Sequence, residues 1–373
     1  MGYRIAVNAR FLLKHKMEGF GWYTFENLKR IVTQHPEHEF FFFFDRQYDP
    51  KFVFADNVTP VVVHPQARHP ELYKIWFNYS VTRAIKKYKC DAFISPDGYL
   101  SLRTKVPQLI VMHDLNFEHN PQDLPKSALN YYKKYFPIFA QRAKRIVTVS
   151  EFSKQDIIQQ YHIAPHKIDV GHNGASPVFK PISEEDKEIV KQKFSKGKNY
   201  ILFVGALSPR KNLGRLIAAF DALHQEGHND LELVIVGEDL FKSMETKIEA
   251  STKVHIHFTG HLSQTDLAQV VAGAHIFAFV PYFEGFGIPL LEAMQSGVPC
   301  LAANATSLPE VGGDAVLYCD PYDVISIKEG LIRLKEDKTL RSTLKEKGPQ
   351  RALNFSWDKS AEVLWSAFLK MMD

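Results

Sequence analysis

Short apolar runs alternate with amphipathic stretches along the chain. In the first half, residues 4–12, 40–44 (five consecutive Phe), 61–64, 91–96, 108–115 and 145–150 read as strands. Between them, residues 22–35, 72–88, 127–145 and 153–161 carry apolar positions at helical spacing. A break is expected at Pro137, and Ser153 is the expected N-cap of the last helix. Strands that alternate with helices pair in parallel through right-handed crossovers, so this half predicts an α/β, Rossmann-like βαβ domain.

The pattern stops between His172 and Asn199, where Gly, two Pro and a highly charged run (183–198) suggest an interdomain linker. It then restarts, with strands at 200–207, 231–237, 254–260, 275–283 and 298–304. Helices are expected at 212–227, 264–274 and 289–297, the last opening on Pro289 and closing at Gly297. The expected layout is a first domain over 1–172, a linker over 173–198, a second Rossmann-like domain over 199–345, and a C-terminal helix over 346–373 that packs back on the first domain. No 20–50-residue repeat is present.

Composition narrows the class. The chain has 373 residues, 45% hydrophobic and 13% aromatic with a net charge of +4, which excludes global disorder. Cys90, Cys300 and Cys319 form no C-x-x-C pair, so neither a disulfide framework nor a cysteine zinc site is expected, and a reducing, cytoplasmic setting is. The first residues lack a signal-peptide layout, and no apolar run approaches the roughly 18 residues needed to cross a bilayer.

Two segments carry candidate chemistry. In the first, residues 281–294, a strand leads through Glu284, Gly285, Phe286, Gly287 and Ile288 into the helix that holds Glu292. Ligands bind at the carboxyl edge of parallel sheets; the glycines let backbone approach a ligand, and the helix start offers free N–H groups to an anion. Two carboxylates there suit sugar or ribose hydroxyls, although a solvated helix face also accounts for Glu292. In the second segment Gly205 leads to Arg210, Lys211 and Asn212 before the next helix. Two cations at a helix N-terminus oppose its dipole, a misfit that a diphosphate would resolve and that a solvated charged turn would leave standing.

The Glu284-Gly-Phe-Gly-x-x-x-x-Glu292 segment, Arg210-Lys211-Asn212 after Gly205, and Phe355-Ser356-Trp357 together resemble the retaining glycosyltransferases of the GT-B fold, family GT4 (glycosyl transferases group 1), over nearly the whole chain. The resemblance implies two Rossmann-like domains facing each other across a cleft. It also implies retaining transfer of a sugar from a nucleotide-diphosphate donor, with GDP-mannose the preferred guess, to a hydroxyl of a glycan or lipid-linked acceptor, as in cell-surface polysaccharide synthesis. It places Glu284 on the transferred sugar, Glu292 on the ribose, Arg210 and Lys211 on the diphosphate, and backbone donors around Phe286, Gly287 and Ile288. Many members carry an Arg directly after the strand glycine. Ala206 stands there in this chain, so Arg210 is expected to serve instead. No cofactor and no metal are implied, and Asp-x-Asp is absent.

In the first half the resemblance places Gly19 and Gly21, of Glu18-Gly-Phe-Gly, near the donor diphosphate and acceptor, and His113 close to the transferred sugar. A plain turn and a structural His are the alternatives. Base contacts are expected from loops near 237–239 and 260–263. The basic, aromatic stretch 126–145, with Tyr131, Tyr132, Tyr135 and Phe136 among its cations, suggests peripheral contact with an anionic membrane, and ordinary solvated helix faces with packed aromatics are the alternative; no nucleic-acid motif is recognisable. Three other functions share these features: a non-catalytic nucleotide or glycan binder, a sugar-nucleotide epimerase or phosphorylase on the same fold, and an NAD-dependent oxidoreductase. The glycine spacing at 19–24 fits the last poorly.

Overall fold

The computed structural model describes residues 2–14, 17, 19–237 and 250–373. They form two compact units, one of residues 1–173 with 356–373 and one of residues 174–355. Each unit is a parallel sheet with its own core.

The first sheet has seven strands: β1 (Arg4–Asn8), β2 (Glu39–Phe44), β3 (Val58–Val62), β4 (Ala92–Ser95), β5 (Gln108–Val111), β6 (Arg145–Thr148) and β7 (Ile168–Val170), in the order β3-β2-β1-β4-β5-β6-β7. Its strands are nearly continuous apolar runs because helices cover both faces. The helix Lys126–Arg142 runs through Pro137 without the expected break. Tyr131, Phe136, Phe139 and Ala140 bury one face of it on both sides of the proline, and that packing outweighs one lost hydrogen bond. The stretch 70–87 is helical with a π segment over Trp76–Val81. Wider winding there lets the adjacent Trp76 and Phe77 both enter the core, where the Trp76 indole N–H donates to Val63 O at 2.7 Å. The helix Glu151–Tyr161 is capped by Ser150 instead of Ser153: the Ser150 hydroxyl accepts from the Ser153 N–H at 3.0 Å. The helix Trp357–Met372, capped by Ser356, packs in this unit against the helix Gly19–Gln34.

The second sheet has six strands: β8 (Asn199–Val204), β9 (Leu231–Val236), β10 (Ile256–Gly260), β11 (Ile276–Phe279), β12 (Cys300–Ala303) and β13 (Leu317–Cys319), in the order β10-β9-β8-β11-β12-β13. The charged run expected as linker is instead largely the helix Glu184–Ser195 of this unit. Ser183 caps it, Glu184, Glu185 and Asp186 favour its N-terminus, and it packs on β8, β9 and the helix Gln264–Ala272 with Val190 buried. Its charge is the solvated face of an amphipathic helix. Among the described residues no helix is long and apolar enough to cross a membrane.

Candidate active site

In the second sheet β9 and β10 lie on one side of β8, and β11 to β13 on the other. The order therefore reverses between β8 and β11, and the loops leaving their carboxyl ends diverge around a crevice where ligands of such sheets bind. The loop after β8 carries Arg210 and Lys211 in a single 3₁₀ turn, Pro209–Lys211. Asn212 follows with φ +61°, and its side-chain amide donates to Val280 O at 2.8 Å and Pro321 O at 2.6 Å, tying the loop to the one after β11. Gly205 N–H donates to Val236 O, and a Cβ on Gly237 would lie 2.2 Å from Gly205 O. Only glycine at 237 lets the β9 end pass so close.

The loop after β11 carries Glu284, which is 6% exposed. Its Oε1 accepts from Arg210 Nη1 at 2.8 Å and from Lys211 Nζ. Burial works to raise the Glu284 pKa, but Arg210 and Lys211 outweigh it and hold the carboxyl below its usual range. The two cations expected to stand as a misfit at the helix start thus already have a counter-anion, 74 and 73 positions away in the chain. The backbone of Glu284 is held separately: its N–H donates to Thr306 Oγ1 at 3.2 Å and its carbonyl accepts from Ser307 Oγ at 2.9 Å.

After Gly285 and Phe286 the chain turns at Gly287, with φ +99°, into the helix Ile288–Gln295. A Cβ at 287 would lie 2.6 Å from Leu308 Cδ2, so this glycine is needed for both angle and space. The Phe286 ring is buried edge-on against Phe355, 5.6 Å between centroids, so only its backbone can serve a ligand. The Gly287 and Ile288 N–H groups donate to no described residue, as the helix start requires if it is to receive an anion. Glu292 is half-buried, and its carboxyl has no partner among the described residues. Burial pushes its pKa up to about 8, so the group is largely protonated at neutral pH and can donate as well as accept a hydrogen bond. A solvated helix face does not describe it.

The first sheet reverses between β1 and β4. Two residues beyond each strand stand Arg10 and Asp97, which the sequence reading passed over; equal offsets beyond two apolar runs were the available signal. Arg10 Nε donates to Asp97 Oδ2 at 2.7 Å, and the guanidinium lies over the rings of Tyr99 at 4.4 Å and Phe11 at 4.7 Å. Both ions are buried, and Asp97 Oδ1 also accepts from Ser95 Oγ at 3.0 Å. This pair is sealed, whereas the Arg210 side chain is 29% exposed. His113, just past β5, presents its Nε2 to Pro96 O at 2.8 Å and its ring edge-on to Phe20 and Tyr23. Burial lowers its pKa, which favours the neutral ring; with Nε2–H donated to the carbonyl, Nδ1 is an acceptor. A Cβ on Gly21 would lie 2.9 Å from Phe11 O, while one on Gly19 would meet nothing within 4 Å, so close approach requires glycine only at 21. Glu18, Glu238 and Asp239, named in the sequence reading, lie outside the described residues, and Gly260 ends β10 with φ +69°. Among the described residues no group of three or more His, Cys, Asp or Glu side chains is placed to hold a metal ion.

Two parallel α/β units of this kind, with cations and an open helix start at the second unit's switch point, define a glycosyltransferase of the GT-B fold. The chain belongs to that class by sequence as well: residues 19–178 match Glycosyltransferase Family 4, and residues 184–351 match Glycosyl transferases group 1. It is similar to O-antigen chain mannosyltransferase B of Escherichia coli, at 28% identity over 95% of this chain and 97% of that protein. It is also similar to O-antigen chain mannosyltransferase RfbU of Salmonella typhimurium, at 25% identity over 78% and 79%. Among solved structures, Anabaena HepE in complex with UDP and glucose shares the fold, with a TM-score of 0.76 at 16% identity over 99% of this chain and 100% of that one.

Proposed function

We propose that this glycosyltransferase is a mannosyltransferase that moves mannose from GDP-mannose to a hydroxyl of a glycan or lipid-linked glycan, with retention of configuration, in the assembly of a surface polysaccharide such as O-antigen. The mannosyl assignment rests on the similarity to the two O-antigen enzymes. The observation that carries the donor site is the convergence of Arg210, Lys211 and the Ile288 helix start at one switch point. As the bond from C1 to the diphosphate oxygen breaks, negative charge grows on the leaving group. Two cations and fixed amide dipoles stabilise that charge without reorganising. The acceptor oxygen attacks C1 on the face the diphosphate leaves, and its proton passes to the departing phosphate oxygen. Glu292, holding a proton, hydrogen-bonds the ribose.

A thermal-shift panel of nucleotide sugars tests the donor, because a ligand that binds only the folded state raises its melting temperature. GDP-mannose is expected to give the largest shift; a larger shift with a uridine or adenosine donor would replace the guanine assignment. Proton NMR of the product is expected to show the anomeric configuration of the donor. Absence of both transfer and slow donor hydrolysis would favour the non-catalytic binder.

Of the aromatics in 126–145, Tyr131 and Phe136 are buried in the core and cannot meet a membrane. The exposed apolar side chains are Ile138 together with Ile75 and Tyr79 of the neighbouring helix, with Arg103 over Tyr79 at 4.2 Å and Lys74 and Lys134 over Tyr135. We propose that this mixed basic and apolar surface meets anionic lipid. Sedimentation with phosphatidylglycerol vesicles, lost in Ile75→Glu/Tyr79→Glu, is the expected result, and no sedimentation of the wild type would remove the proposal.

A further inference from the structure

Glu284 places a single carboxylate oxygen, Oε1, between two cations. A diphosphate offers one phosphoryl group to each of them, so it satisfies the pair better than one shared oxygen can. The loop does not depend on the carboxylate for its shape. Thr306 and Ser307 hold the Glu284 backbone, Tyr282 N–H donates to Arg210 O at 3.1 Å, and Asn212 joins the loops through Val280 O and Pro321 O. The side chain can therefore swing while the frame stays. Arg210 also donates from Nη1 to Phe283 O at 3.2 Å, which keeps the guanidinium in place when the carboxylate leaves.

We propose that Glu284 is the resident counter-anion of Arg210 and Lys211, and that the donor diphosphate binds by displacing its carboxylate from both cations. This rests on the donor-site reading above and adds a role to Glu284. In the empty site it screens the cations and sets the threshold an anion must exceed to enter; after exchange its carboxylate is released toward the sugar end of the donor. A phosphate monoester, with one phosphoryl group, competes poorly with a carboxylate already in place. Glu284 thereby selects for diphosphates as well as serving the bound donor.

The test is titration calorimetry of the full-length wild type and Glu284→Gln with ADP, GDP and UDP, and with the three matching monophosphates. Gln keeps the shape and an acceptor oxygen but removes the charge. Exchange predicts that the best-binding diphosphate binds Glu284→Gln about tenfold tighter than wild type, with at least as large a gain for the matching monophosphate as the selectivity is lost, while kcat for sugar transfer falls. A purely structural salt bridge predicts the opposite, equal or weaker diphosphate binding in the variant, and that result would overturn the exchange. Circular dichroism checks the fold of Glu284→Gln. Should it misfold, Glu284→Asp, which keeps the charge but retracts it by one methylene, must show a smaller gain of the same sign, and no gain overturns the proposal. If none of the diphosphates binds either wild type or variant, the donor-site reading itself fails and the exchange with it.

Discussion

At the scale of single residues, Lys211 and Glu292 make the sharpest predictions. Lys211 is nearly buried, touches Glu284 and lies 5.0 Å from the centre of the Phe279 ring, so its ammonium is held in a fixed, poorly solvated place. Lys211→Ala should lower kcat/KM for transfer by about 2–4 kcal/mol of transition-state stabilisation, the scale of one lost charge-stabilising donor. A value within about threefold of wild type would contradict its role. Glu292 makes a prediction about stability. Its folded pKa of about 8 lies above the ordinary 4.5, so the native state keeps a proton that the unfolded chain has released. Stability from this group is complete at low pH and declines as pH rises from about 4.5 through about 8. Urea midpoints of the wild type should therefore fall over that window relative to Glu292→Gln, and parallel curves would show that the carboxyl is not buried as described. Both residues were legible in the sequence because strand, glycine turn and helix start coincide around them. The long-range partnerships were not: Lys211 meets Glu284 across 73 positions, and Arg10 meets Asp97 across 87. Only strand order brings such residues together.

At the scale of elements, the apolar runs and helical spacings mark most strands and helices, and the exceptions have physical causes. β7 and β13 are three residues each, too short for any periodicity to register. The helix Glu184–Ser195 is so strongly charged that its buried stripe reduces to little more than Val190. Pro137 marks a helix stop by local rule, but core packing on both sides of it prevails. The junctions after β8, β9 and β11 position the site, and Gly237 is the tightest of them. Gly237→Ala forces a Cβ against the Gly205 carbonyl, so the loop bearing Arg210 and Lys211 must shift. The variant should lose about 1–3 kcal/mol of stability, as overpacking typically costs, and bind nucleotide more weakly. Denaturation and calorimetry of one preparation check both effects, and unchanged nucleotide binding would detach this glycine from the site.

At the scale of the whole molecule, each unit encloses a separate hydrophobic core: one gathers Phe41, Phe93, Trp76 and Phe139, the other Phe203, Leu216, Ile235 and Leu331. Separate cores need not melt together. Scanning calorimetry should resolve two transitions, and a nucleotide diphosphate should raise the one belonging to residues 174–355 more than the other, since the cations and the helix start both lie in that unit. Equal shifts of both transitions would contradict a donor site confined to residues 174–355.

The central claim is that a diphosphate is received by Arg210, Lys211 and the start of the helix Ile288–Gln295. A crystal structure with GDP or UDP bound tests it directly. Phosphate oxygens are expected within hydrogen-bonding distance of both side chains and of the Gly287 or Ile288 amide. A nucleotide whose phosphates lie anywhere else, with Glu284 still paired to both cations, would contradict it.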